Sequence, residues 1–317
     1  MANSISISPN YKYTVIDTHV HPIRSLVTEK SLIDEVRKAG INKAVLLALD
    51  LDVEAITNDE KLKYEIINNL LEYSLFIDAF KLIRAMEQIL RMGLTSNSFV
   101  ADIVNANPEF FIGFGSVNPS KDSSYIKEKL VEIEKLGLRG IKLIPTLQFF
   151  NPAKNKNIKL IFRYARERDW PILIHAGGDP GPFEIPTLKC VKDSHPKNWR
   201  KHVRKTKNKI IFAHLGCYGR IDHDSWFSET TNLAKNNPNI YLDTSAVTYH
   251  LEDPGIVEHI RQTCGFRKIL FGTDTPVVQG TSMRHSLDVI KNSPVLTPNE
   301  KRLILGENAK ALLKIED

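Results

Sequence analysis

Two histidines one residue apart, His19 and His21, lie at the end of an apolar segment that Pro22 terminates. In a β-strand, side chains at positions i and i+2 point to the same face, so the two imidazoles converge on one point. Neutral imidazole is a common protein ligand for zinc and similar transition metals. The pair indicates part of a metal site, although an isolated His-x-His motif is equally compatible with packing or surface histidines.

Three further apolar segments carry a polar residue of a suitable type near their carboxyl ends. They are Pro171–Gly177 with His175, Lys209–Gly216 with His214 and Lys268–Pro276 with Asp274. Short apolar runs bounded by Gly or Pro are typical of strands that are buried on both faces of a parallel sheet. Because each polar residue follows its apolar run, the recurrence favours one shared site over a set of satisfied core histidines.

These residues require a scaffold in which strand ends meet, and the chain supplies eight strand-like segments separated by segments of helical periodicity. The strand candidates are Thr14–His21, Lys43–Leu49, Phe110–Val117, Gly140–Pro145, Pro171–Ala176, Lys209–Leu215, Asn239–Val247 and Lys268–Asp274. Helical spacing occurs, for example, over Ser31–Ala39 and Ser123–Leu136, and Thr297–Glu300 has the residue types of a helix capping box. The alternation predicts an α/β fold, a (β/α)8 TIM barrel, as a single domain over residues 1–317.

Two connections are longer than a barrel requires. The segment 59–92 is predicted to be a helical insertion between strands 2 and 3. Its apolar residues cover more than one helix face, which fits burial against a lid partner or another subunit, or an extra helical layer on the barrel. The connection 177–207 follows a polar-ended strand, so we expect it to shape the substrate pocket.

The composition of the chain limits the classes of protein to which it can belong. The chain has 317 residues, of which 42% are hydrophobic and 25% charged, as in an ordinary soluble globular protein. No apolar run reaches transmembrane length and the amino terminus lacks the pattern of a secretory signal, so we expect a cytoplasmic protein with no membrane partner. The three cysteines show no Cys-x-x-Cys spacing, which argues against a disulfide framework or a thiolate zinc site.

The formal net charge of +6 raises the question of an anionic partner. Much of the excess lies in Lys197–Lys209, which we interpret mainly as a solvated helix and loop. The same stretch joins two polar-ended strands, so it could alternatively steer an anionic substrate. We expect a small-molecule substrate rather than nucleic acid, and a homo-oligomer.

Active sites of (β/α)8 barrels form at the carboxyl ends of the strands, which would also bring Lys142 into the site. Lys142 alternates with Ile141 and Leu143, so it points into the barrel if those two face the helices; an unpaired lysine is costly there. Asp17 and Asp243 are candidates either to orient a histidine or to act as buried structural carboxylates.

With these residues the chain resembles the amidohydrolase superfamily, and more closely its amidohydrolase 2 branch, which includes aminocarboxymuconate semialdehyde decarboxylase. The resemblance covers essentially the whole chain. It is carried by Asp17–His21, Gly140–Pro145, Ile174–His175, Ala213–Gly216, Phe271–Asp274 and Glu307–Lys310.

The resemblance implies that His19, His21, His175 and Asp274 bind zinc or another divalent transition metal, with one ion favoured over two. His214 would polarise the substrate, help to activate water or bind a second metal. Asp274 would also act as the base that takes a proton from metal-activated water. Lys142 completes the predicted catalytic set, as a charged group near the substrate or an ion-pair partner; its carboxylation to bridge two metals is the alternative.

These expectations define the predicted function. We expect a metal-dependent hydrolase that acts on a carbon–nitrogen, ester or lactone bond of a small molecule. The alternative is a non-oxidative decarboxylase or hydratase of a small carboxylic acid. A TatD-like nuclease fits less well, because those enzymes carry a glutamate on the fourth strand, where this chain has Lys142. A metal-binding barrel without catalytic activity is the remaining possibility.

Overall fold

The computed structural model describes residues 14–73, 78–177, 189–204, 207–218, 226–278 and 280–316. Eight parallel strands follow one another around a single sheet in the order β1 to β8. The strands are β1 (Ile16–Val20), β2 (Lys43–Leu47), β3 (Phe111–Ser116), β4 (Ile141–Leu143), β5 (Ile172–Ile174), β6 (Ile210–Phe212), β7 (Ile240–Asp243) and β8 (Ile269–Leu270). The predicted α/β barrel is confirmed, and each predicted strand segment contains one observed strand.

The barrel closes between its last and first strands. The backbone amide of Thr18 donates to the carbonyl of Phe271 at 2.9 Å, and the amide of Asp274 donates to the carbonyl of His19 at 2.9 Å. A parallel bridge joins Val20 to Thr275. This closure places Asp274 directly beside the His-x-His segment, although the two are far apart in the sequence.

The observed strands are shorter than the predicted ones at their carboxyl ends. The strand β8 ends at Leu270 rather than Asp274, and β6 ends at Phe212 rather than Leu215. The residues beyond them leave the sheet ladder, and His214, Leu215 and Asp274 adopt positive φ angles of 58°, 52° and 65°. The polar residues therefore follow the strands on turns, which aim their side chains across the barrel mouth.

Helices separate the strands as predicted. Their bounds are α1 (Glu29–Ala39), α2 (Ala55–Asn58), α3 (Glu60–Tyr73), α4 (Ala79–Gly93), α5 (Asn97–Ala106), α6 (Ser123–Lys135), α7 (Ile158–Glu167), α8 (Arg200–Val203), α9 (Trp226–Asn236), α10 (Pro254–Gln262), α11 (Met283–Asn292), α12 (Pro298–Arg302) and α13 (Asn308–Leu313). The predicted capping box is present, since the Thr297 side chain accepts from the Glu300 amide and the Glu300 side chain accepts from the Thr297 amide. Such caps satisfy backbone groups that the first helical turn leaves unpaired.

The strands divide their side chains between two cores. Ile141 and Leu143 belong to the large core between strands and helices, whereas Leu173 and Ile211 belong to the separate barrel interior. Lys142 alternates with the two β4 core residues and is fully buried, so it points inward as predicted.

The helical insertion forms an additional layer over the barrel. Within it, Ile66 of α3 and Met86 of α4 are buried in a third apolar cluster together with Leu49 and Leu51, which follow β2, and Ile144, which follows β4. The cluster favours the interpretation of the insertion as an extra helical layer on the barrel. The alternative was a helix pair whose apolar surface is covered by a lid partner or another subunit. The predicted insertion range 59–92 includes residues 74–77, which lie outside the described residues.

Two other predictions fall partly outside the described residues. Residues 178–188 of the connection 177–207 lie outside the described residues, and so does the amino-terminal segment 1–13. In the charged stretch, Arg200 and Lys201 are exposed on α8, as expected for a solvated surface. Among the described residues, no helix combines the length and the apolar composition that crossing a bilayer requires.

Candidate metal centre

The barrel brings the predicted site residues to one end. His19 lies in β1 with His21 just beyond it, Lys142 is the central residue of β4, and His175, His214 and Asp274 follow β5, β6 and β8. All six side chains are buried, with His175 the most exposed at 8%. Convergence at the carboxyl ends of the strands is the arrangement expected of a barrel active site.

Three of these residues form a compact group of ligand atoms. The Nε2 atoms of His19 and His21 are 3.1 Å apart, and Oδ1 of Asp274 lies 3.3 Å from the first and 3.4 Å from the second. Four ligands arranged tetrahedrally at the bond lengths of zinc are about 3.3–3.4 Å from one another. The nitrogen and oxygen donors and their spacing therefore fit one small divalent ion.

His175 is not part of this three-residue group. Its Nδ1 atom lies 3.0 Å from Nε2 of His214, and the two imidazole rings meet edge to face with their centroids 4.8 Å apart. The structure thus brings the four predicted metal ligands and His214 into one buried cluster, with His175 paired to His214.

Lys142 contacts His19, one of the three residues of the compact group. Its Nζ atom is 3.0 Å from Nε2 of His19. Among the described residues it forms no salt bridge within 4.0 Å, and burial lowers its pKa from 10.5 to about 8. An imidazole nitrogen has one lone pair, so the ammonium and a metal ion would compete for the same atom of His19.

Burial also governs the other ionisable groups. It lowers the pKa values of His19 and His214 well below the ordinary value and that of His21 less far, so these imidazoles are neutral near pH 7. Burial alone would raise the pKa of Asp274, but the surrounding imidazoles outweigh it and hold that pKa below its ordinary value. Neutral histidines and an ionised carboxylate are the protonation states that a metal requires.

Asp243 is the last residue of β7, and Ser245 lies two residues beyond it. Both residues contact histidines of the cluster. Nδ1 of His19 lies 2.9 Å from Oδ2 of Asp243 and 2.9 Å from Oγ of Ser245. Nδ1 of His214 lies 2.9 Å from both the carbonyl oxygen and Oγ of Ser245. Asp243 thus takes the orienting position that was one of its two predicted options. Ser245 was missed, because the polar residues Asp243 and Thr244 separate it from the apolar run of β7.

Asp17 was predicted either to orient a histidine or to act as a buried structural carboxylate, and its contacts fit the second role. Its carboxylate accepts the backbone amides of His19 at 3.0 Å and Thr273 at 3.1 Å, and the Thr273 hydroxyl at 2.6 Å. Burial raises the pKa of Asp17 to about 7. The side chain ties β1 to the segment after β8 and holds the backbone of two ligand-bearing turns.

The turn after β6 depends on a glycine. Gly216 has a φ of 78°, and a Cβ atom there would lie 2.0 Å from Oγ1 of Thr230 on α9. This close approach lets the helix support the turn that carries His214. In the same turn, Cys217 is buried and its Sγ donates to the His214 carbonyl.

Comparisons with known proteins agree with this geometry. A family model described as Amidohydrolase matches residues 16–315. The chain is 25% identical over 250 residues to 2-amino-3-carboxymuconate-6-semialdehyde decarboxylase of Dictyostelium discoideum. That alignment covers 69% of this chain and 66% of the relative, just under two thirds of the relative's length.

Solved structures with the same fold include enzymes of two kinds. A probable 2-pyrone-4,6-dicarboxylic acid hydrolase from Acinetobacter baumannii is 15% identical with a TM-score of 0.60, over 95% of this chain and 100% of the other. A 5-carboxyvanillate decarboxylase from Novosphingobium aromaticivorans, solved with bound manganese, is 14% identical with a TM-score of 0.60, over 97% and 99%. These similarities show the barrel fold. Because the family model spans almost the whole barrel and every strand that carries a site residue, the chain belongs to the amidohydrolase 2 family.

Proposed function

We propose that the protein is a metal-dependent enzyme that decarboxylates a small carboxylic acid without oxidation. His19, His21 and Asp274 would hold one divalent transition metal, with His175 as the fourth ligand. Zinc suits the nitrogen and oxygen donors, and manganese is the alternative because a decarboxylase of the same fold binds it. The bound metal would act as a Lewis acid that draws electron density from the substrate.

The observation that carries this proposal is the environment of Lys142. The side chain is fully buried, and no described carboxylate lies within salt-bridge distance of its ammonium group. In the metal-free protein, its pKa of about 8 leaves it mostly protonated at pH 7. The carboxylates of Asp274 and Asp243 stabilise the ammonium only from beyond salt-bridge distance, and a substrate carboxylate would supply a closer negative charge.

The reaction needs little from the protein beyond charge and exclusion of water. The bond between the carboxylate and its neighbouring carbon breaks, the electron pair stays on that carbon, carbon dioxide leaves, and the carbon takes up a proton. Lys142 would offset the negative charge that develops, and the buried histidine cluster keeps bulk water from the reacting atoms. The decarboxylase name of the Dictyostelium relative supports this reaction class.

Hydrolysis of a carbon–nitrogen, ester or lactone bond is the second candidate, and it was the first expectation from the sequence. Oδ1 of Asp274, beside the two Nε2 atoms, is placed where a carboxylate could take a proton from an attacking water. The hydrolase-like neighbour from Acinetobacter favours it as well. Both candidates use an acidic small molecule and the same residues. The proposed substrate class is therefore common to both.

The test is a panel of small aromatic and conjugated carboxylic acids and their lactones, with the protein loaded with zinc or manganese. Release of carbon dioxide supports decarboxylation, whereas ring opening or amide cleavage without carbon dioxide supports hydrolysis. Lys142→Met should lower kcat/KM about a thousandfold, because unit charges about 4 Å apart near a protein site interact by about 4 kcal/mol. Turnover that is unchanged in Lys142→Met would contradict the role of the lysine, and no turnover with either metal would contradict both reactions.

A further inference from the structure

Asp243 and Ser245, which we call the β7 clamp, lie between His19 and His214. Both clamp side chains are fully buried, and together they contact Nδ1 of each histidine at 2.9 Å. The clamp touches neither Nε2 atom. It acts on the side of each ring that faces away from the three ligand atoms.

The protons of the clamp can be assigned one by one. Oδ1 of Asp243 accepts the backbone amides of His214 and Ser245, each at 3.0 Å, and it also accepts the Ser245 hydroxyl. A serine hydroxyl has one proton, so after this bond Oγ offers only lone pairs to the imidazoles. Oδ2 of Asp243 and the Ser245 carbonyl are acceptors too. Every atom that the clamp presents to the two rings therefore accepts a proton.

Both imidazoles must consequently donate from Nδ1. A neutral imidazole carries one proton, so Nε2 of His19 and Nε2 of His214 each keep a lone pair. Nε2 of His214 faces Nδ1 of His175 at 3.0 Å. Nε2 of His19 likewise faces Nε2 of His21 at 3.1 Å and Nζ of Lys142 at 3.0 Å, so the lone pairs of both clamped histidines point into the cluster.

We propose that the β7 clamp sets the tautomers of His19 and His214, so that both present an unprotonated Nε2 to the histidine cluster. Asp243 and Ser245 are then positioning residues that act through these two imidazoles. The proposal rests on the metal site of the proposed function, but the tautomers themselves belong to the protein without metal.

The direct test is the tautomeric state of the histidines in metal-free protein labelled with 15N-histidine. Long-range proton–nitrogen correlation spectra distinguish the two forms, and single His→Gln variants assign the signals. We expect His19 and His214 to be protonated at Nδ1. His202 is the internal reference with the opposite form, because its Nε2 lies 2.8 Å from the Pro152 carbonyl. Protonation of His19 or His214 at Nε2 would overturn the proposal, whatever the reaction of the enzyme is.

A second test measures zinc affinity by competition with a chelator. Asp243→Asn places an amide where the clamp needs an acceptor, and the expected loss of affinity is 10- to 100-fold. Asp50→Asn is the control, since Asp50 is a partly buried carboxylate that accepts the Asn118 amide and the Tyr125 hydroxyl outside the site. We expect its affinity to change less than threefold. Equal losses in the two variants, or no loss in Asp243→Asn, would contradict the clamp. Failure of the wild-type protein to bind zinc would instead refute the metal site, and the spectra above would still decide the tautomers.

Discussion

Replacing Lys142 with methionine is expected to make the metal-free protein more stable while it removes activity. Burial lowers the pKa of this lysine from 10.5 to about 8. Because one pKa unit corresponds to about 1.4 kcal/mol, holding the charged lysine in the fold costs about 3 kcal/mol at pH 7. Methionine has a similar length and no charge, so the free energy of unfolding should rise by about that amount.

The sign and the pH range follow from proton linkage. Between pH 8 and pH 10.5 the unfolded chain binds a proton at Lys142 that the folded chain does not bind, so the stability of the wild type rises with pH across this interval. The advantage of the methionine variant is therefore complete below pH 8 and disappears above pH 10.5. Groups remote from Lys142 titrate alike in both proteins and cancel in the difference, whereas His19 and His21, whose pKa values the Lys142 charge lowers, titrate below this interval.

Urea denaturation of the two metal-free proteins at pH 7 and at pH 10.5 measures this difference. Leu173→Met is the matched control, because Leu173 pairs with Lys142 in the barrel and is equally buried but uncharged. Its effect should be below about 1.5 kcal/mol and independent of pH. A Lys142→Met variant that is less stable than the wild type at pH 7 would refute the reasoning. That result would instead support a carboxylated, anionic lysine.

Three further substitutions test the site and its support. Asp274→Asn should abolish zinc retention after dialysis while the circular dichroism spectrum stays that of the wild type; full zinc content with normal turnover would contradict its assignment as a ligand. Gly216→Ala should destabilise the fold by about 3 kcal/mol in urea denaturation, because the cost of the positive φ adds to that of the clash between the new Cβ and Thr230. Gly137→Ala is the control and should cost about 1 kcal/mol, because Gly137 has a φ of 74° but open space where a Cβ would lie. Thr297→Ala should cost about 1 kcal/mol through loss of the capping box, and an unchanged urea midpoint would contradict that contribution.

The barrel and the convergence of its site could be predicted because both leave a signal along the chain. A strand that is buried on two faces appears in the sequence as a short apolar run. A catalytic residue at its carboxyl end appears as a polar residue that follows the run and does not precede it. His175, His214 and Asp274 all carry that signal. Closure of β8 on β1 then explains why Asp274 lies beside His19.

The rest of the site depends on contacts that have no such signal. Ser245 is a common residue type in a turn, and only the approach of two imidazoles to its hydroxyl distinguishes it. The pairing of His175 with His214 depends on the positive φ of His214 and on Gly216, which lets α9 approach the turn. For the same reason the sequence left open which surface the insertion covers, since helical periodicity marks an apolar face without naming its partner.

The distribution of charge between the two ends of the barrel argues for function independently of the family. At the amino ends of the strands, Lys43 donates to the carbonyls of Pro108 and Glu109, and Lys209 pairs with Asp169. At the carboxyl ends, the fully buried Lys142 contacts an imidazole and no described carboxylate within 4.0 Å. Selection for stability alone would pair or remove that charge, because substitution of a buried ion by an apolar side chain of similar volume is often stabilising. A costly cation beside a cluster of metal-type ligands therefore favours this end of the barrel as the site of function, and it fits the anionic substrate that we propose.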